Sequence, residues 1–178
     1  MKKLFALILL IAAPYLASAQ VFNTASTLKP GAFSLGVEPV VYDQDFGLFL
    51  HGGVGIKSGI DLALKYGFLN GSDYFGADLE WRLMAGKPNI SLTTGAHSFY
   101  NPGLDFGLNL SFPITKGAGF YTGLDLDINF GDHNTYTPLW LPVGVEISLK
   151  KNMSFIFEDE IPLNDAYNIL GLGLAFYF

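Results

Sequence analysis

The feature that most restricts this chain is a period of two. From Ile60 onward, Leu62, Leu64, Tyr66 and Phe68 fall on one side of an extended backbone, while Asp61, Ala63, Lys65 and Gly67 fall on the other. The pattern returns with Phe75, Ala77, Leu79, Trp81 and Leu83 against Gly76, Asp78, Glu80 and Arg82. Leu104, Phe106, Leu108, Leu110 and Phe112 stand in the same way against Asp105, Gly107, Asn109 and Ser111. Phe120, Thr122, Leu124, Leu126, Ile128 and Phe130 then oppose Tyr121, Gly123, Asp125, Asp127 and Asn129. A backbone that keeps this period lies in a sheet with two unlike faces. Beyond residue 19 no apolar run reaches the roughly 18 residues that a helical membrane span needs.

Segments of this kind occur at approximately 31–42, 46–57, 59–69, 74–84, 89–100, 104–113, 119–130, 138–149, 153–162 and 168–178, which predicts ten strands. Strands of roughly ten residues, when tilted, match the hydrocarbon layer of a bilayer. A soluble sandwich alternates too, so the connections have to separate the two architectures. Lys57, Lys87, Lys116, Lys150 and Lys151 fall in the second, fourth, sixth and eighth connections, without an acidic residue among them. Asp43, Asp45, Asp73, Asp132 and Asp165 fall in the first, third, seventh and ninth, without a Lys or Arg. In an up-and-down barrel alternate connections emerge on the same side of the membrane, so sorting by parity is sorting by side. Turns of a soluble sandwich have no reason to sort.

Composition narrows the partners. Half of the 178 residues are apolar and 15% are charged, which argues against disorder, and a formal charge of −6 offers no attraction to nucleic acid. The absence of cysteine excludes disulfides, thiolate metal sites, a Cys nucleophile and a lipid-bearing N-terminal cysteine. Residues 1–19 read as a secretory signal peptide: Lys2 and Lys3 form a positive start, Leu4 to Ala13 an apolar core, and Ala17-Ser18-Ala19 a small-residue cleavage site. Its removal leaves eight basic residues of the ten against sixteen acidic ones, a net charge of −8. The expected organisation is 1–19 signal peptide, 20–30 periplasmic N-terminal segment and 31–178 barrel.

At the other terminus Leu170, Leu172, Leu174, Phe176 and Phe178 alternate with Gly171, Gly173, Ala175 and Tyr177 up to the last residue. Gly173, Phe176 and Phe178 resemble the terminal assembly signal of bacterial outer-membrane barrels, with Gly171 where that signal commonly has a polar residue. The resemblance implies an all-β, membrane-spanning antiparallel up-and-down β-barrel of about ten strands with short connections. It also implies a cell outer membrane location, with outer-membrane lipid and the barrel assembly machinery as partners. A closed barrel satisfies every backbone polar group without water. The aromatics near strand ends, Phe68 and Phe75, Phe99 and Tyr100, Phe112 and Phe120, Phe130 and Trp140, suit interfacial girdles.

Function is then read from the inward face. The expected lumen lining is Asp61, Lys65, Asp78, Glu80, Arg82, His97, Asp105, Asp125, Asp127, Glu146, Glu158 and Glu160, with Glu38 and His51 beside them. So many carboxylates must be hydrated, paired or partly protonated, because burying each dry would cost several kcal/mol, and Lys65 and Arg82 cannot neutralise them all; water in the lumen is expected. Inward glycines such as Gly36, Gly53, Gly95 and Gly144 leave volume or relieve curvature. Phe49, Phe99, Tyr121, Trp140, Ile156 and Tyr177 point inward as well and can fill the bore, so a passage and a plugged scaffold both remain open. Enzyme chemistry finds little support. The connections are too short for the cleft of an omptin-type protease, His97 and Ser98 point oppositely where lipid A deacylases need His and Ser on one face, and His133 beside Asp132 lies in a loop. The pairs Asp125 with Asp127 and Glu158 with Glu160 could start a hard-cation site, but no calcium-loop spacing or zinc signature accompanies them. The expectation is a non-enzymatic, narrow, cation-preferring porin-like passage without cofactor or resident metal, its partners being cations or small solutes; the alternative is a non-conducting structural barrel.

Overall fold

The structure, a computed structural model, describes residues 24–178. The expected signal peptide lies outside the described residues. Ten long strands form the wall: β1 (Phe33–Tyr42), β2 (Asp45–Lys57), β3 (Ile60–Phe68), β4 (Asp73–Met84), β5 (Asn89–Phe99), β6 (Asn101–Pro113), β7 (Ala118–Phe130), β9 (Leu139–Lys150), β10 (Met153–Pro162) and β11 (Ile169–Tyr177). A two-residue strand, β8 (Thr135–Tyr136), folds back on the end of β7. Each long strand pairs antiparallel with its neighbours, and β1 pairs with β11 from Ser34↔Tyr177 to Tyr42↔Ile169, which closes the barrel. At that seam Phe33 and Phe178 exchange two backbone bonds of 3.1 and 2.9 Å.

Two details correct the expected strands. The connection at 131–137 is not plain loop: Gly131 N–H donates to the Asn134 carbonyl, Thr135 and Tyr136 pair with Phe130 and Asn129, and the Asp127 N–H donates to the Pro138 carbonyl at 3.1 Å. Residues 101–103 are strand rather than connection: Asn101 pairs with Phe99 and Pro102 with Ser98, leaving Tyr100 alone at the turn with φ 56°.

Closure puts both strand ends of the seam, and the connections around Lys57, Lys87, Lys116, Lys150 and Lys151, at one end of the barrel. The connections carrying Asp43, Asp45, Asp73, Asp132 and Asp165 lie at the other. These are called here the terminus end and the loop end. Across the wall, side chains alternate as the period of two requires. Among the described residues, thirty large apolar or aromatic ones are exposed, including Leu35, Leu50, Leu64, Leu92, Phe106, Leu124, Ile147 and Leu172. A water-soluble protein does not carry such a continuous apolar exterior, whereas a membrane-spanning barrel requires one.

The inward glycines act through close approach. A Cβ on Gly67, Gly95, Gly103, Gly144 or Gly171 would come within 3.0 Å of Phe49, Asp78, His97, Tyr121 and Glu38, respectively. Each lets a side chain of the neighbouring strand lie flat against the wall. This is how a narrow barrel fits large inward residues without displacing its strands.

Candidate functional site: a two-part lumen

The loop-side half of the lumen is a cavity of about 430 Å³ that runs up to the rim residues Tyr100, Asn134, Tyr136 and Tyr167. Of the expected lining, Lys65, Asp78, His97, Asp105, Asp125, Asp127, Glu158 and Glu160 line it, together with Glu38 and His51. That makes seven carboxylates against one lysine. Lys65 Nζ lies 3.1 Å from Asp78 Oδ2, and His51 Nε2 lies 2.9 Å from Glu38 Oε2. His97 is held at both ring nitrogens, Nδ1 by the Asp105 carboxylate and Nε2 by Asn129 Oδ1 at 2.7 Å.

His97, Asp105 and Asp127 present ligand atoms within 4.8 Å of one another. With both His97 nitrogens engaged, the group as it stands is a hydrogen-bonded cluster. Aromatic rings form the rest of the wall. Tyr74 stacks on His97 at 5.4 Å and meets Phe49 edge-on at the same distance, and Phe99 packs on Tyr100 at 4.6 Å. The rim is fastened by neighbouring connections: Trp140 Nε1 donates to the Tyr167 carbonyl at 2.7 Å, Asn164 Nδ2 to the Thr137 carbonyl at 2.7 Å, and Tyr136 to the Asp165 carbonyl.

Asp61, Glu80, Arg82 and Glu146 sit elsewhere, on inward positions of the terminus-side half. The expected N-terminal segment, residues 20–30, is described from Thr24 onward. Its residues Thr24 to Leu28 enter the bore, with Ala25 0% and Leu28 1% exposed. The Ala25 N–H donates to Ser111 Oγ on β6 at 2.9 Å, and the Leu28 N–H donates to the Asp61 carboxylate on β3. Leu28 packs in one apolar cluster with Tyr121, Ile156, Ala175 and Tyr177, from β7, β10 and β11. Gly55 on β2 accommodates the Lys29 carbonyl where a Cβ would collide with it. The segment therefore meets β2, β3, β6, β7, β10 and β11. Its short run of small and hydroxylated residues carries no period, and in sequence nothing marks it as an interior element.

The large inward side chains divide between the halves. Tyr121, Ile156 and Tyr177 are buried with the segment, while Phe49, Phe99 and Trp140 line the cavity. The assembly-signal residues lie along the closing strand: Gly173 pairs with Ile156, Phe176 pairs with Leu35 and Met153, and Phe178 completes the seam.

No protein-family model matches the sequence, and no curated protein matches it. Among solved structures, the NanC porin superposes with a TM-score of 0.59 at 11% identity, covering 80% of this chain and 98% of that one. The KdgM porin superposes with a TM-score of 0.54 at 11% identity, covering 82% and 99%. The same porin solved in complex with disordered oligogalacturonate gives 0.54 at 12% identity, again covering 82% and 99%. The chain has the fold of small bacterial outer-membrane porins, and its apolar exterior is that of an outer-membrane barrel.

Proposed function

We propose that the protein is a non-enzymatic, porin-like barrel of the outer membrane that draws cations or small cationic solutes into its loop-side cavity and passes them in preference to anions. The observation that carries this reading is the charge of the lining, seven carboxylates with a single lysine. Fixed charge in a narrow, low-dielectric tube raises the local concentration of counterions. The effect persists where the bore is narrow compared with the Debye length of about 8 Å at physiological salt. The structural neighbour solved with oligogalacturonate binds a polycarboxylate; the lining found here would repel such a ligand, so the likeness of fold does not extend the solute.

The test is single-channel recording of the purified full-length barrel in planar bilayers under a salt gradient. The reversal potential should take the sign of cation preference. It should move towards zero in Asp125→Asn with Asp127→Asn, or when the pH is lowered through the carboxylate range. A wild-type channel that prefers anions overturns the reading. A second reading, a non-conducting structural barrel, is favoured by the filled terminus-side half. It prevails if the wild type, Trp140→Ala, which removes the large ring near the rim, and Leu28→Asp, which unsettles the chain segment filling that half, are all silent.

A further inference from the structure

We propose that residues 24–28 are a displaceable plug, and that the barrel conducts when this segment leaves the terminus-side half of the lumen. The inference rests on the reading of the barrel as a passage and adds the element that controls it. Four observations carry it. Four of the five residues of the segment are buried, Thr24, Ala25, Thr27 and Leu28 at 2, 0, 6 and 1% exposure, and Ser26 is partly so. Its contacts reach opposite walls, Asp61 and Gly55 on one side and Ser111 with the Tyr121–Ile156–Tyr177 cluster on the other, so it spans the bore rather than lining it.

The segment is also outside the sheet, joined to β1 through a turn at Gly31. There φ is 78° and an added Cβ would meet nothing within 4 Å, so the glycine serves the backbone bend alone. Finally, its hold is slight. Among the described residues, one large apolar side chain and two backbone donors anchor it, against the ordering of five residues. The groups it contacts, the Asp61 carboxylate and the Ser111 hydroxyl, and the neighbouring Glu80 and Glu146 carboxylates are hydrated equally well once it departs. Removal breaks no strand pairing.

Because the chain has no cysteine, Ala25→Cys with Ser111→Cys introduces a single pair at a position already in hydrogen-bond contact. In planar bilayers the oxidised full-length protein should be closed, and dithiothreitol should raise its open time at least tenfold. Leu28→Asp, which sets a carboxylate in the apolar cluster of Tyr121, Ile156 and Tyr177 without touching a strand, should raise the open time of the otherwise native barrel by a similar factor. Thiol labelling supplies a readout independent of current: Ala25→Cys should react far more slowly in the folded protein than Lys29→Cys, which is exposed.

Equal conductance of the oxidised and reduced pair overturns the plug, as does a Leu28→Asp channel indistinguishable from wild type, or equal labelling at 25 and 29. A reduced or Leu28→Asp channel that opens without cation preference leaves the plug standing and removes the proposed selectivity. Conversely, a cation-selective wild type that ignores the disulfide removes the plug alone.

Discussion

The two halves of the lumen are built by the same strands and behave as different materials. On β7, Tyr121 is buried against Leu28, whereas Asp125 and Asp127 line the cavity. On β10, Ile156 joins the apolar cluster while Glu158 and Glu160 line the cavity. Four residues along a strand is about 13 Å, enough to pass from one regime to the other. At the terminus end the inward positions hold rings, small residues and a piece of chain packed beside Asp61, Glu80, Arg82 and Glu146, and packing fills the space. At the loop end they hold carboxylates that demand water. The inward face of a narrow barrel is therefore not one environment, and a substitution there acts according to its height in the bore.

The largest effect should come from the seam at the terminus end. Deleting Phe178, or replacing it with Ser, should lower the amount of folded barrel in the membrane severalfold, read as heat-modifiable gel mobility; an unchanged amount would remove the terminal assembly signal from the account. Next, Tyr121→Ala should cost about 3–5 kcal/mol of unfolding free energy, as for other buried large aromatics. Trp140→Ala at the loop end should cost clearly less, since that ring borders open volume. Denaturant unfolding from detergent micelles measures both, and equal losses would erase the distinction between the halves.

Smaller changes sharpen the comparison. Gly144→Ala drives a methyl into the Tyr121 ring and should destabilise by about 1–3 kcal/mol, the usual cost of overpacking. Asp125→Asn with Asp127→Asn should leave stability within about 1 kcal/mol of wild type or raise it, because it removes like charges from the wet half. A loss as large as that of Tyr121→Ala would mean those carboxylates hold the barrel together. Gly52→Ala, where an added Cβ meets nothing within 4 Å, should stay within about 0.5 kcal/mol. It serves as the control for the other glycine.

Much of the wall was legible in the chain because its causes are local. The period of two sets which side of each strand faces outward, and Gly, Pro, Asn and Asp mark the turns. The charge of the connections, Lys at one end and Asp at the other, follows once strands alternate in direction. Pro102 and Gly103 misled, since residues that usually signal a loop were absorbed into the end of β6 by pairing with β5. The acidic lumen was legible by phase alone, and so were the inward glycines other than Gly103, which the sequence places in a connection. That each glycine receives a named neighbour, Glu38 at Gly171 or His97 at Gly103, depends on strand register.

What sequence alone determined is thus the strand pattern, the sidedness of its side chains and the sign of its interior, all properties that repeat within a dozen residues. Tertiary structure decided the rest: the closure that sets Phe33 beside Phe178, the grouping of His97 with Asp105 and Asn129, and the entry of residues 24–28 into the bore. These join groups up to 145 positions apart in the chain. No local preference encodes such a meeting; it exists only once the wall has closed and left a space of that shape to fill.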